Sequence, residues 1–265
     1  MWVDSHCHLD FPELAADRAG LIARAQAVGL QSMVTISTRV RRFDQILPIA
    51  ADNPGIWCSV GTHPHNAHEE LDVTVADLVR LSAHPKVVAI GEAGLDYHYD
   101  KSPRDAQEQG FLTHIAAARE TGLPLVIHAR DADDRTAAIL TEEMGKGAFK
   151  AVLHCFTASE ALAITGIELG LYVSFSGIAT YRSAQNLRDI AARLPADRIL
   201  IETDAPYLAP GKFRGKTNEP SFVVETGKAI AEARGVSPEE MARQTTDNFY
   251  RLFAKADRAQ VLAAD

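Results

Sequence analysis

Cysteine is scarce: Cys7, Cys58 and Cys155 are the only three in 265 residues, and none forms a C-x-x-C pair. That excludes a disulfide framework and a thiolate zinc cluster, and leaves three reduced, buried side chains. No apolar run approaches the ~20 residues that a membrane-spanning helix needs, and the first residues lack the basic-then-apolar pattern of a secretory signal. A cytoplasmic protein with no membrane association is expected. Positive charge is also short, with 27 Lys and Arg against 35 Asp and Glu for a net charge of −8. Such a balance excludes a broad basic surface that coats nucleic acid, so any phosphate-bearing substrate must be gripped locally. Low-complexity tracts, Pro- or Ser-rich linkers and like-charge blocks are missing too, and a single domain over residues 1–265 is expected. Neither G-x-G-x-x-G nor G-x-x-x-x-G-K-[ST] occurs. An open doubly wound sheet would more often carry one of them.

What is present is a repeat of short apolar run, polar turn and longer amphipathic segment. The apolar runs are MWVDS, SMVTIS, IWCSVG, KVVAIG, LPLVIHA, KAVLHCF, LYVSFSG and RILIETD. Between them lie helical patterns such as ELAADRAGLIARAQAVG and SPRDAQEQGFLTHIAAARETG, closed by Gly or Pro as helix stops should be. Two further helices, EPSFVVETGKAIAEARG and SPEEMARQTTDNFYRLFAKA, follow the eighth run, the second with a capping box between Ser237 and Glu240. Eight strand–helix units predict an α/β fold, a single (β/α)8 TIM-type barrel with extra C-terminal helices.

Six of the ten histidines (His6, His8, His63, His65, His128 and His154) stand at the downstream ends of these runs, as do Glu92 and Asp204. In a barrel those ends share one rim, where active sites are built. Burying so many imidazoles and carboxylates without compensation costs kcal/mol per group, so a cation is the economical explanation. In VDSHCHLD, alternate side chains share a face, so His6 and His8 can reach one ion together while Cys7 points away. Asp4, earlier on the strand, is expected to orient a histidine from behind. One metal is expected on His6, His8, Glu92 and Asp204 and a second on Glu92, His128 and His154, with Glu92 shared and positions left open for water. Mixed imidazole and carboxylate donors suit zinc, manganese, iron or cobalt better than magnesium.

The stretches DSHCHLD, VGTHPH, GEAGLDYHYD, LPLVIHARDA, LHCFTAS, SFSGIATY, ETDAPYLAP and RGKTNEP, in this order, resemble the successive signatures of the TatD family of metal-dependent deoxyribonucleases, within the amidohydrolase-like superfamily. The resemblance runs from Trp2 to about Phe253, and the family's six metal-ligand positions fall on His6, His8, Glu92, His128, His154 and Asp204. It implies a distorted TIM barrel, a divalent-metal centre often dependent on magnesium, and hydrolysis of DNA phosphodiesters, often from the 3′ end; two divalent ions, magnesium, zinc or manganese, are expected. DNA ends or oligonucleotides are then the substrate, and no obligate protein partner is implied. Ala93, His98 and the DADDRT segment depart from the family's common pattern and bear on substrate preference rather than on ligands.

Asp204 is expected to take a proton from the attacking water and Glu92 to set the spacing of the ions. Substrate phosphate is assigned to His63, His65, Arg130, Arg214 and Lys216, the last two in the basic loop KFRGKTNEP. Asn218 and Glu219 are expected to fix that loop. Tyr97, Tyr99, Phe156 and Tyr207 flank strand ends, where an aromatic ring either stacks on a base or walls the pocket. Two other readings stay open: a hydrolase of an ester, such as that of aminoacyl-tRNA, and a metal-bearing scaffold without turnover.

Overall fold

A computed structural model describes residues 1–262. Eight strands appear where the apolar runs predict them: β1 (Trp2–Cys7), β2 (Leu30–Thr35), β3 (Ile56–Val60), β4 (Val87–Asp96), β5 (Leu125–Arg130), β6 (Ala151–Leu153), β7 (Tyr172–Phe175) and β8 (Ile199–Ile201). They form one sheet in sequence order, every pair parallel. With helices between strands this is the TIM-type (β/α)8 fold. Parallel strands covered on both faces lose the polar alternation of half-exposed ones, and all ten residues of β4 are buried. The barrel closes narrowly: β1 and β8 meet at a lone bridge, Cys7 to Ala205, reinforced by His8 N donating to Ala205 O at 2.8 Å and Asp204 N donating to His6 O at 2.9 Å.

The second residues of six strands, Val3, Trp57, Val88, Val126, Val152 and Leu200, belong to one apolar cluster with Phe249, Leu252 and Phe253. The last two helices, Val223–Arg234 and Pro238–Leu252, are the extra pair expected, and the second closes the end of the barrel where the strands begin. Polar chemistry is thereby confined to the opposite end.

Two local expectations need correction. The first helical segment is broken into Pro12–Ala15 and Arg18–Ala27 because Asp17 leaves helical geometry at φ −127°, ψ 32°. Only half of the expected capping box forms: Ser237 Oγ accepts from Glu240 N at 3.1 Å, while the Glu240 carboxylate turns to Arg243 instead of reaching back. An ion pair one turn along competes successfully for that carboxylate.

Candidate metal centre

Barrel curvature brings the ends of β1, β3, β4, β5, β6 and β8 onto one axis. Glu92, 2% exposed on β4, stands at the centre. Its Oε1 lies 2.7 Å from His154 Nε2, 2.9 Å from His128 Nδ1 and 3.3 Å from His63 Nε2, and its Oε2 lies 3.4 Å from His6 Nε2. On the β1–β8 side, Asp204 Oδ1 is 3.4 Å from His8 Nε2 and 3.6 Å from His6 Nε2. His6 also stacks flat on His154, ring centroids 3.9 Å apart, which locks the two donor groups together. All six sequence-chosen ligands therefore meet in one place, and the two oxygens of Glu92 face two different sets of imidazoles.

Outer partners decide which ring nitrogens point inward with a free lone pair. His8 Nδ1 lies 3.2 Å from Ile36 O, His128 Nε2 lies 3.1 Å from Asp96 Oδ2, and His154 Nδ1 lies 3.2 Å from Glu202 Oε1. Each outer nitrogen meets an oxygen that can only accept, so it carries the proton and the inward nitrogen is left unprotonated in the neutral ring. The inward lone pairs then face carboxylate oxygens and one another, as at His6 Nε2 and His8 Nε2, 3.2 Å apart. Acceptors do not bond acceptors; a positive charge, a proton on the ring or a metal ion, must stand between them. The donor set fits divalent metal, with carboxylate-backed histidines as metal sites commonly have. His6 is the exception, since its Nδ1 is buried with no partner.

Sets of residues with ligand atoms all within 4.8 Å of one another are His6–His8–Glu92, His63–Glu92–His128 and His6–His154–Glu202. His63 and Glu202 thus belong to the inner cluster, which sequence reasoning missed. Glu202 also accepts from Cys155 N at 2.6 Å and from Ser5 Oγ at 3.4 Å, tying β8 to β1 and to the turn after β6. Asp96 was missed as well: its Oδ2 is shared between His128 and His65 Nε2, 2.7 Å away, and its Oδ1 accepts from the backbone of His98 and Tyr99. A signal for Asp96 was available, because it stands four residues from Glu92 on β4, where alternate residues share a face; Glu202 lies just past the end of β8, and no such spacing marks it.

Without an ion, protons take its place: burial lowers the imidazoles of His154, His8 and His128, but the carboxylates facing them prevail and raise all three above the ordinary value. Burial pushes the Glu92 carboxyl up, but the imidazoles of His154, His63, His6 and His128 prevail and hold it well below the usual carboxylate range. Asp204 is likewise pushed up by burial and brought below its usual value by His8 and His6. Asp4 differs from expectation. Burial pushes its carboxyl up to about 8, and it accepts from Thr203 N, Thr203 Oγ1 and His6 N rather than from any imidazole. It braces the backbone at the β1–β8 seam instead of orienting a histidine ring.

The remaining sequence-predicted residues lie around this core. His65 is held by Asp96, and Arg130, two residues beyond His128 on β5, lies over the Tyr99 ring at 4.8 Å. Arg214 and Lys216 are exposed on the loop after β8, the former 5.1 Å over Tyr181. That loop is pinned as expected: Asn218 Nδ2 donates to Thr203 O and to Tyr207 O, and Glu219 pairs with Arg24 at 3.0 Å. Of the flanking aromatics, Phe156 is buried and Tyr97 lies under Arg104.

A family model described as TatD related DNase matches residues 3–254. An Escherichia coli K12 protein named an uncharacterized metal-dependent hydrolase, YcfH, is 42% identical over 254 residues, 95% of each chain. A protein of Enterobacter lignolyticus named the 3′-5′ ssDNA/RNA exonuclease TatD is 35% identical over 258 residues, covering 96% of this chain and 99% of its own. Among solved structures, the TatD homologue YjjV of E. coli K12 superposes with a TM-score of 0.88 at 30% identity, covering 96% of this chain and 98% of its own.

Proposed function

This chain belongs to the TatD-related DNase family of metal-dependent hydrolases, and from that premise we propose that it is a one-domain cytoplasmic nuclease that removes nucleotides from the 3′ ends of DNA. The observation that carries the reading is Glu92, a fully buried carboxylate whose two oxygens face two sets of inward-pointing imidazoles. His6, His8, Glu92 and Asp204 would hold one divalent ion, and Glu92, His128 and His154 a second, as magnesium, zinc or manganese. When bound, such ions supply Lewis acidity, acidifying water and offsetting charge on phosphate oxygens.

The protein's own groups do the rest. Asp204, ionised because His8 and His6 hold its carboxyl down, takes a proton from the water that attacks phosphorus. The bond from phosphorus to the 3′ oxygen of the preceding nucleotide breaks, and that oxygen leaves as the new 3′ hydroxyl with the proton that Asp204 took from the water. Glu92 fixes the distance between the two donor sets. His63, His65 and Arg130 near the centre, with Arg214 and Lys216 on the loop after β8, contact phosphate, which supplies the local grip that a net charge of −8 demands. The relative named a 3′-5′ ssDNA/RNA exonuclease supports this substrate class.

The test is a digest of 5′-labelled single-stranded oligonucleotide by metal-free protein to which magnesium, manganese or zinc is returned, beside an aminoacyl-tRNA deacylation assay. A ladder shortening from the 3′ end, abolished in a folded Asp204→Asn variant, is expected. Hydrolysis of the aminoacyl ester alone, or full activity in the variant, overturns the reading.

A further inference from the structure

Among the described residues, only two aromatic side chains are mostly exposed, Tyr99 at 52% and Tyr207 at 51%. Neither is scattered at random. Each stands three residues beyond an acid of the centre, and each is tied to it by its backbone: Tyr99 N donates to Asp96 Oδ1 and Tyr207 N to Asp204 O, both at 2.9 Å. The rings differ in what covers them. Tyr99 has Arg130 at 4.8 Å and Lys101 at 5.5 Å over its face. Over Tyr207, among the described residues, no Lys or Arg lies, so a planar group has access to it.

From the metal-ligand histidine outward, His8, Phe11 and Tyr207 form a continuous aromatic series. The Phe11 ring lies on His8 at 4.5 Å and 17°, and Tyr207 meets Phe11 edge-on at 6.0 Å and 76°. A mobile ring on a loose loop would lose entropy on stacking, but this loop is already fixed. Asn218 clamps Tyr207 O at one end and Thr203 O at the other. Gly177, after β7, packs so closely that a Cβ there would stand 2.1 Å from Leu208 O. The same loop carries Arg214 and Lys216.

We infer that Tyr207, backed by Phe11, is a stacking platform for the base of the nucleotide whose phosphodiester is cut. The chemistry selects a nucleobase rather than a phosphate, because the ring offers a π-face without a cation, and every base has one. It selects a single strand, because a base paired in a duplex must first be unstacked at a cost of a few kcal/mol. This inference rests on the nuclease reading above and adds to it the part of the substrate recognised beside the reacting phosphate.

The experiment compares two oligonucleotides, one ending in an ordinary 3′ nucleotide and one whose 3′ residue is abasic, against the native protein, Tyr207→Ala and Tyr207→Phe. Expected is a fall of kcat/KM of about tenfold in Tyr207→Ala on the ordinary end, no fall on the abasic end, and near-native rates in Tyr207→Phe, which keeps the ring. Equal loss on both ends, no loss on either, or failure of Phe to restore the rate overturns the platform. If the native protein cuts neither oligonucleotide, the nuclease reading itself fails, and the two failures are told apart. The backbone bonds of Tyr207 to Asp204 and Asn218 do not depend on its side chain, so the Ala variant keeps the loop.

Discussion

His114 offers a measurable link between acid stability and the shape of the site. It is 2% exposed on the helix Arg104–Thr121, its Nδ1 donating to Gly110 O at 2.7 Å and its Nε2 accepting from Thr62 N at 3.0 Å. That last bond holds the backbone entering His63. Only the neutral ring can accept there, and burial pushes its pKa from 6.5 down to about 4. With the folded value below the unfolded one, the unfolded chain binds the extra proton between them. Stability is therefore whole above about 6.5, falls as the pH drops, and the loss is complete near 4. At about 1.4 kcal/mol per pH unit the ceiling is about 3 kcal/mol, a sizeable share of the 5–15 kcal/mol typical of a domain. Urea unfolding of the native protein and of His114→Gln, which keeps an acceptor and cannot titrate, measures this between pH 7 and 4. Other groups titrate in both proteins, so the difference between the two curves isolates His114. Expected is a native curve that drops about 3 kcal/mol more steeply; parallel curves would refute the reasoning.

Further outcomes follow from the outer partners and the backbone. Glu202→Gln or Asp96→Asn, each removing the charged acceptor behind one histidine, should weaken binding of manganese to metal-free protein by about 10–100-fold in a calorimetric titration while circular dichroism stays native; unchanged affinity would mean that neither orients its ring. Gly94→Ala should lower stability by about 2–4 kcal/mol, because φ is +146° and a Cβ would stand 2.0 Å from His128 O across the β4–β5 pair. Gly145→Ala, inside the helix Asp133–Lys146 with open space around it, should instead raise the urea midpoint by an amount equivalent to about 0.5–1 kcal/mol.

The barrel was legible because each strand announces itself by a short buried run and each helix by its period and stop. Period and composition are local properties, and local properties survive in a sequence. The convergence of the candidate ligands was legible for a related reason: His6 and His8 reveal a shared face by spacing alone, and barrel topology gathers the rest at one rim. What was hidden depends on contacts between distant segments. His114 reads as one more helical histidine until the helix is seen to set it against Thr62 N. Asp4 reads as a partner for a histidine until Thr203 arrives from the segment just past β8 to claim both its oxygens. Glu240 reads as a cap until Arg243 competes for it. In each case the residue's options were visible, and only the folded chain chose between them.

The narrow seam between β1 and β8 has a consequence in time. His6 and His8 are made about 200 residues before Asp204 and Ala205, which meet them across that seam. At about 5–20 residues per second, roughly ten to forty seconds separate the two halves of the centre. Throughout that interval a nascent chain lacks the carboxylate that its histidines face, and it also lacks the last strand that closes the barrel. The two halves of the centre therefore come together only once the eighth strand is made, and the site is completed by the last step of barrel closure rather than by the first strand that carries its histidines.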